Sequence, residues 1–311
     1  MKCTRCREHA EVHLRQHNSA FCRRCYVTFF QRQVERAIHK ERMFTVEEEV
    51  LVAVSGGKDS LALWDVLVTL GYRTTGLHLA LGIGDYSSVS TQKAEQFAQT
   101  RDLTLISVPL AQEGPGLAIS TVAASTNRKP CAACGTVKRH VFDRVAAERG
   151  FGVVATGHNL DDEAARLLGN VLHWQTDHLA KQSPVLQPTH EKFARKVKPL
   201  FRVSEYETAV YAFIRGIDYI VDECPNSVGA TQLTYKDVLN RLEAAMPGSK
   251  LTFVQEFLRA GRPAFATAEA RQPPETCQRC GMPSYGAVCS FCRLVAEVER
   301  KRQPLRRTGS A

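Results

Sequence analysis

The sequence predicts an α/β fold, a doubly wound parallel sheet flanked by two small four-cysteine zinc modules. Strand and helix patterns alternate between residues 50 and 108, which is typical of a parallel sheet. Pairs of CxxC recur near both ends of the chain, with the spacing of zinc ligands. The 311 residues, 44% of them hydrophobic, are enough for one sizeable core and one or two small modules beside it.

The N-terminal segment has the pattern of a structural zinc site. Fifteen residues separate the pair Cys3 and Cys6 from the pair Cys22 and Cys25. Four thiolates in two such pairs suit a tetrahedral Zn²⁺ ion, and they leave no coordination position for a substrate. The ion would supply the folding energy that so short a segment lacks. A helical pattern rich in Arg and Lys follows and predicts a linking helix over residues 28–48.

The stretch from residue 50 to 70 predicts an anion-binding loop. An apolar strand, 50–54, passes through Ser55-Gly56-Gly57-Lys58-Asp59-Ser60 into a helix over 59–70. Glycines let several backbone N–H groups converge on one anion, the helix N-terminus adds its positive dipole end, and Lys58 supplies a mobile positive charge. The loop is not a Walker A loop, because Val52 stands where that motif needs its first glycine. A strand at 74–81, a helix from about 90 to 100 and a strand at 103–108 continue the βαβαβ run.

Two later motifs carry further chemistry. Cys131-Ala-Ala-Cys134 opens a basic helix, and its spacing suits a redox pair, half of a zinc site or part of an iron–sulfur site. The lone Cys224 bears on this choice, because three thiolates are one short of a closed zinc site. A turn at Gly157 leads into a helix whose first turn holds Asp161, Asp162 and Glu163. One acid is enough to cap a helix, so three acids favour an additional role in holding Mg²⁺ on a nucleotide.

The eleven cysteines sort into sets of four, four and three. The last set of four has zinc-ligand spacing again and predicts a second zinc module from Cys277, Cys280, Cys289 and Cys292. Residues 174–202 are basic and read as an irregular loop and strand, and further helices are expected at 204–215, 234–246 and 251–259. The expected domains are therefore a zinc module at 1–27, the linking helix at 28–48, a catalytic domain at 49–250, a helix and linker at 251–274, a zinc module at 275–295 and a basic tail at 296–311.

The charge distribution favours a polyanionic partner. The formal charge is +9, and residues 1–42 carry ten Lys and Arg against four Asp and Glu. Basic ends that coincide with zinc modules indicate nucleic acid. No apolar run approaches the roughly 20 residues needed to span a bilayer, and the Cys-rich, basic start does not resemble a signal peptide. We therefore expect a cytoplasmic protein that does not contact a membrane.

The hexapeptide Ser55–Ser60 resembles the SGGxDS loop of the PP-loop ATP pyrophosphatases. Together with PCAACGTVKR, TGHNLDDEA and ECPNS, and with four-cysteine modules at both ends, it makes the chain similar to the tRNA 2-thiolation enzymes. The arrangement is most like the TtuA type and next like the wobble-uridine thiolases. The resemblance extends over essentially the whole chain.

The resemblance implies a two-step reaction. ATP binds at the Ser55–Ser60 loop with Ala53, Leu79 and Gly157 lining its site, and O2 of a uridine attacks the α-phosphate to give an adenylated base and pyrophosphate. Asp59 and Asp162 lie near Mg²⁺ and the reacting phosphate, and Lys138 contacts phosphate or the developing charge. The implied target is T-loop 5-methyluridine at tRNA position 54, with wobble uridine 34 as the alternative.

The resemblance also implies cofactors and partners. Cys131, Cys134 and Cys224 would hold a [4Fe–4S] cluster whose fourth iron is free of protein, and this iron would bind the sulfur that displaces AMP. The sulfur would arrive as the C-terminal thiocarboxylate of a ubiquitin-like carrier protein. Relatives are homodimers, and their two structural Zn²⁺ modules help to place tRNA.

Three rival hypotheses remain open at the level of the sequence. A PP-loop ligase that uses ammonia or an amine would not need Cys131, Cys134 and Cys224. A thiolase without a cluster would carry a persulfide on Cys131 or Cys224. A nucleic-acid-binding protein with a vestigial loop would bind tRNA without releasing AMP or pyrophosphate.

Overall fold

A computed structural model describes residues 1–113, 117–265 and 274–302 of the chain. The first four-cysteine module is a β-hairpin that leads into a long helix. Its elements are β1 (Val12–Leu14), β2 (Ser19–Phe21) and α1 (Arg23–Lys40). The central domain then begins with alternating strands and helices, as predicted: β3 (Glu49–Val54), α2 (Lys58–Thr69), β4 (Arg73–Ala80), α3 (Gly84–Thr100), β5 (Leu105–Pro109), α4 (Ile119–Ser125), α5 (Pro130–Arg149) and β6 (Val153–Thr156).

The second half of the chain is mainly helical. Its larger elements are α6 (Leu160–Leu172), α7 (Thr176–Lys181), β7 (Val185–Leu186), β8 (Arg195–Val197), α8 (Glu205–Ile214), α9 (Thr231–Ala245) and α10 (Ser249–Glu256). A π-helical turn, Phe257–Gly261, and the short α11 (Arg262–Ala264) come next. The second cysteine module consists of β9 (Glu275–Thr276), β10 (Pro283–Ser284) and α12 (Ser290–Arg302). The expected linker at 271–274 and the basic tail lie mostly outside the described residues.

The six-stranded sheet has the order β5-β4-β3-β6-β8-β7. Neighbouring strands are parallel except for β7, which runs antiparallel to β8. The strand order reverses between β3 and β6, and such switch points form a crevice at the carboxyl ends of the strands. The prediction of a doubly wound parallel sheet is therefore confirmed, and the topology places a binding crevice next to the Gly-Gly loop.

Side chains alternate between two cores along β3. Val50, Val52 and Val54 join one core with helices α1, α2, α6 and α8. Leu51 points to the other face and packs in a second core with α4, α5 and α12. Because successive residues of a strand point to opposite faces, this five-residue apolar run is buried on both sides, as a parallel strand requires. No helix among the described ranges is both long enough and apolar enough to cross a bilayer.

The linking helix is shorter than expected. We predicted helix as far as residue 48, but α1 ends at Lys40. Arg42 adopts a left-handed backbone with φ of 49°, and the N–H of Met43 donates to the carbonyl of Ile38 at 2.9 Å. This pattern terminates helices, and here it turns Met43 and Phe44 into the core. Burial of these two side chains therefore outweighs the helical pattern that residues 41–48 share with α1.

Helix α3 begins earlier than expected. We predicted a helix from about residue 90, whereas α3 starts at Gly84. Serines usually weaken helices by competing for backbone hydrogen bonds. Here Ser87 and Ser90 are buried, and the Ser90 hydroxyl donates to the carbonyl of Ser55 at 2.6 Å. The serine-rich turns of α3 are thus stabilised by contact with the anion-binding loop, which their local sequence does not reveal. Residues 174–202, expected as loop and strand, contain α7 as well.

Candidate active site

The Gly-Gly loop connects β3 to α2 in one well-braced conformation. Gly56 has φ of +76°, and its carbonyl accepts a hydrogen bond from the N–H of Ile220 at 3.0 Å. The Ser60 hydroxyl donates to the carbonyl of Gly57 at 2.9 Å and lies 3.1 Å from the hydroxyl of Ser55. The first N–H groups of an α-helix have no partner inside the helix, so those at the start of α2 face the loop. This arrangement suits a phosphate group.

A cavity of about 310 Å³ opens beside this loop, at the carboxyl ends of β3, β4 and β6. Eight of the predicted site residues line it, namely Ala53, Ser55, Asp59, Ser60, Leu79, Lys138, Gly157 and Asp162. Gly56, Gly57 and Lys58 belong to the adjoining loop. Seven further lining residues were not among the predicted site residues: Val54, Leu81, Tyr86, Ser90, Phe142, Thr156 and His158. Of these, Thr156 and His158 belong to the TGHNLDDEA motif and could have been found from it.

The turn after β6 lies directly against the loop. A Cβ on Gly157 would come within 2.9 Å of the backbone of Asp59 and Ser60, so only glycine allows this approach. Asn159 donates from its side-chain amide to the Asp59 carboxylate at 3.1 Å. Asn159 also forms a capping box with Asp162, in which each side chain accepts from the other backbone N–H at 3.1 Å. Asp162 therefore caps α6 and faces the cavity at the same time.

The neighbouring acid has a different place. Asp161 is buried, and its carboxylate pairs with Lys250 and accepts from the N–H of Glu205 at 2.8 Å. These contacts tie α6 to α8 and α10, away from the nucleotide-side cavity that Asp162 lines. Of the two neighbouring acids, Asp162 is therefore the one that lines the cavity.

Two lysines and three carboxylates form one ionic network at the edge of the cavity. Lys58 lies 2.6 Å from Glu205 and 3.1 Å from Asp59, so it is held in place rather than free. Lys236 on α9 lies 2.7 Å from Asp162 and 3.1 Å from Glu205. Glu205 therefore bridges the two lysines, and neither it nor Lys236 was among the predicted site residues.

The network shifts the pKa values of Glu205 and Asp59 in opposite directions. Burial alone raises the pKa of Glu205, but the hydrogen bond from Lys58 and the charge of Lys236 outweigh it and lower the pKa to about 2. Burial raises the pKa of Asp59, and the charge of Lys58 offsets only part of the increase while Asp162 adds to it. Asp59 and Asp162 line the same cavity, and two carboxylates that face one space are a favourable setting for a divalent cation.

The three remaining cysteines lie at the mouth of the cavity. Cys131 and Cys134 occupy the first turn of α5, and the Cys131 thiol donates to the carbonyl of Asn226 at 3.2 Å, which brings the segment of Cys224 alongside. Lys138, one turn past Cys134, lines the cavity. Burial raises the pKa of Tyr86, another lining residue, and the charges of Cys224 and Cys134 add to this shift. The thiols and the nucleotide-side cavity are therefore adjacent.

The spacing of these three sulfurs differs from that of the two sets of four. In each set of four the ligand atoms lie within 4.8 Å of one another, as one tetrahedral ion requires. Within the described ranges, Cys131, Cys134 and Cys224 do not form so tight a group. Ligands of a four-iron cluster bind different irons, so they lie farther apart than ligands of a single ion. The donor set and its open spacing fit a cluster better than a closed zinc site.

The chemistry of the outer cysteine sets fits zinc. Burial alone raises the pKa of Cys3 and of Cys277, but backbone N–H groups directed at each sulfur lower both values to about 6. Burial and the neighbouring thiols raise the pKa of Cys25 and Cys292, so each set holds one thiol that ionises readily and others whose negative charge needs a cation. The thiolate is the form of cysteine that binds a metal ion. Pairs within each set approach closely, with Cys6 and Cys22 at 3.6 Å and Cys280 and Cys289 at 3.7 Å.

The chain is similar to protein families and proteins that are already known. Residues 27–229 match the PP-loop domain, and residues 2–27 match the N-terminal LIM domain of the 2-thiouridine synthetase TtuA. A Thermus thermophilus protein named tRNA-5-methyluridine(54) 2-sulfurtransferase is 48% identical over 97% of this chain and 93% of its own length. The protein of that name from Pyrococcus horikoshii is 42% identical, over 94% of this chain and 93% of its own length.

More distant relatives share the fold. The cytoplasmic tRNA 2-thiolation protein 1 of Aspergillus niger is 31% identical over 96% of this chain and 89% of its own length. The structure of the U34-tRNA thiolase NcsA from Methanococcus maripaludis with its [4Fe–4S] cluster superposes with a TM-score of 0.80. The superposition covers 96% of both chains at 24% identity, which shows a common fold.

Proposed function

The chain belongs to the TtuA family of PP-loop tRNA 2-sulfurtransferases, and from this membership we propose that it replaces O2 of a tRNA uridine by sulfur, with ATP as co-substrate. One observation carries the proposal. A single cavity is lined by the anion-binding loop, by Asp59 and Asp162, and by Lys138, one turn past Cys134. Activation by ATP and delivery of sulfur can then occur at one uridine without its release.

The loop and its surroundings would bind MgATP. The phosphates lie on the N–H groups at the start of α2, and the adenine lies against Ala53, Leu79 and Gly157. Asp59 and Asp162 supply the hard oxygen ligands that Mg²⁺ prefers. Lys58 exchanges its contact with Glu205 for the phosphates, while Lys236 keeps Asp162 in position.

The reaction then has two balanced steps. O2 of the uridine forms a bond to the α-phosphorus of ATP, and pyrophosphate leaves. A sulfur nucleophile next attacks C2, and AMP departs with the original O2, so thiouridine, AMP and pyrophosphate are the products. Lys138 neutralises the charge that develops on the phosphate in the first step, since its ammonium group lines the cavity. The target is an unstacked loop base, because a paired uridine hides its O2 edge.

Cys131, Cys134 and Cys224 would hold a [4Fe–4S] cluster, which would supply an iron free of protein ligands as the place where sulfur is bound. The two outer cysteine sets would each hold one Zn²⁺ and help to orient tRNA. The sulfur donor in the cell is proposed to be the thiocarboxylate of a ubiquitin-like carrier, and the protein to act as a homodimer. Uridine 54 is the proposed target, because the relatives named for position 54 are 48% and 42% identical to this chain.

The test uses full-length protein purified without oxygen, an unmodified tRNA transcript, MgATP and inorganic sulfide. Nucleoside mass spectrometry should detect 2-thiouridine, and transcripts with uridine 54 or uridine 34 replaced should identify the position. AMP should form in equal amount to thiouridine. AMP formation with an amine in place of sulfide, or tRNA binding without AMP formation, would contradict the proposal. Modification at position 34 would correct the target alone.

Metal analysis of the same preparation tests the cofactors. We expect about four irons and two zinc ions per chain. Cys224→Ser should lose iron and keep zinc, whereas Cys277→Ser should lose one zinc and keep iron. Thiolation by protein that stays free of iron after anaerobic reconstitution would refute the cluster.

A further inference from the structure

A second charged surface lies on α1, outside the nucleotide cavity. A groove of about 500 Å³ opens between the first zinc module and this helix. Arg5 of the module lines it together with Phe29, Arg32, Arg36 and His39 of α1. Glu35 is the one carboxylate in its lining. The groove therefore carries a strong local excess of positive charge.

The helix presents this face in a fixed orientation. Phe29, Arg32, Arg36 and His39 follow one another at intervals of three or four residues, so they share one side of α1. The opposite side is buried in the core, where the ring of Phe30 stacks on Tyr211 at 4.1 Å. The groove face spans about 15 Å along the helix, from residue 29 to residue 39. That length can accommodate several consecutive phosphates of a nucleic-acid strand.

The arginines of the groove have no counter-ions. The guanidinium groups of Arg5, Arg32 and Arg36 form no hydrogen bond or ion pair with any residue that the structure describes. Burial lowers the pKa of Arg202, and the charge of Arg36 lowers it further. Several other exposed arginines are paired, for example Arg241 with Asp237 at 2.9 Å. In the groove, by contrast, three neighbouring arginines line one surface without a paired carboxylate in the described part of the chain.

The floor of the groove is rigid and apolar. The ring of Phe29 stacks on Phe21 at 4.8 Å and meets the ring of His17 edge-on at 5.1 Å. Planar guanidinium groups above such a floor are suited to phosphate oxygens, which they can bind with two parallel hydrogen bonds. Unpaired arginines spread over a length of several phosphates are expected in a surface that binds the backbone of a nucleic acid.

We propose that this groove binds the phosphodiester backbone of the substrate tRNA, independently of base sequence and away from the uridine that is modified. The identity of the nucleic acid rests on the proposed function. Helix α1 also lies close enough to the active site for one tRNA to reach both. The hydroxyl of Tyr26, one turn before the groove, donates to the carbonyl of Glu207 at 2.5 Å, and Glu207 is two residues from Glu205 in the ionic network.

The test compares two triple variants that remove the same charge. The groove variant is Arg5→Gln/Arg32→Gln/Arg36→Gln. The control variant is Arg144→Gln/Arg241→Gln/Arg259→Gln, whose arginines are exposed or half-buried and already paired with carboxylates. Binding of unmodified tRNA is measured between 50 and 300 mM KCl. Zinc content and thermal unfolding establish that each variant is folded.

Three phosphate contacts predict a definite change in salt dependence. The slope of log K against log salt should become shallower by about 2 to 3 in the groove variant, with a loss of affinity on the order of 10²-fold at 0.1 M salt. The control variant should change the slope by less than about 1. The variant Arg5→Lys/Arg32→Lys/Arg36→Lys should keep most of the slope, because the charge remains, and lose part of the affinity.

Turnover separates this proposal from the proposed function. With saturating tRNA the groove variant should form thiouridine at the wild-type kcat, with a raised KM for tRNA. Equal effects in the groove and control variants would overturn the proposal, and so would an unchanged salt slope in the groove variant. If the groove variant binds tRNA normally but receives sulfur poorly from the carrier protein, the groove binds a protein partner and the proposal is wrong. If the wild type binds tRNA without thiolating it, the proposed function fails while the salt slope still tests the groove.

Discussion

The two glycines of the anion-binding loop should respond very differently to alanine. Gly56 has φ of +76°, and a Cβ there would lie 2.3 Å from the carbonyl oxygen of Ser90. Ser90 cannot withdraw, because it is buried in α3 and its hydroxyl donates to the Ser55 carbonyl at 2.6 Å. Gly57 has φ of −87°, and its Cβ would meet only the Ser55 hydroxyl oxygen at 3.4 Å.

The expected loss of stability in Gly56→Ala has two parts. A left-handed alanine costs about 1–2 kcal/mol, and forcing an extra carbon against fixed backbone costs about 1–3 kcal/mol more. Gly56→Ala should therefore lower the free energy of unfolding by about 2–5 kcal/mol and displace the loop N–H groups, so that ATP binding is lost. Gly71→Ala is the matched control, because Gly71 has φ of +84° with nothing within 4 Å of the added Cβ. It should lose only about 1–2 kcal/mol.

Urea denaturation measures the free energies of unfolding, and titration calorimetry measures ATP binding. Gly57→Ala should unfold with a free energy close to that of the wild type. This comparison would show that the loss of stability is specific to Gly56. The reasoning is refuted if Gly56→Ala is no less stable than Gly71→Ala and binds ATP with wild-type affinity. That result would mean that α3 and the loop separate without difficulty and that the contact at Ser90 does not brace the site.

Three further predictions concern the ionic network, the C-terminal module and the zinc sites. Lys236→Met should destabilise the protein by about 1–3 kcal/mol in urea denaturation, since it leaves Asp162 without its counter-ion, and Lys236→Arg should recover most of this. Burial lowers the pKa of His140, which stacks on Phe291 at 3.9 Å, from 6.5 to about 4, and the charge of Arg144 adds to this. The stabilising contribution of neutral His140 should be complete above pH 6.5 and disappear as the pH falls toward 4. The free energy of unfolding of His140→Phe should therefore depend less on pH over this range than that of the wild type. Parallel pH profiles of the two proteins would contradict this explanation. Cys6→Ser should remove one zinc ion per chain by elemental analysis, and loss of both ions would show that the modules are not independent.

Much of the architecture was predictable from local pattern. The apolar run of β3, the helical period after it and the glycines between them encode a strand, a loop and a helix within some twenty residues. Zinc-ligand spacing is local too, because each CxxC places two sulfurs on one turn. The side chains at the carboxyl ends of β3, β4 and β6 come together once the sheet is parallel. The family resemblance assigned Ala53, Leu79 and Gly157 to the nucleotide site, and the parallel sheet brings them around one cavity.

Other features required the packing of distant helices. Lys58 and Glu205 are 147 residues apart, and nothing near either residue in the sequence indicates that they meet. Lys236 reaches Asp162 because α9 packs on α6, where a Cβ on Gly169 would come within 2.8 Å of the Tyr235 ring. The early start of α3 and the unpaired arginines of the groove have the same origin. Residue spacing describes a helix face, but which face is buried, and against what, depends on the free energy of the whole core.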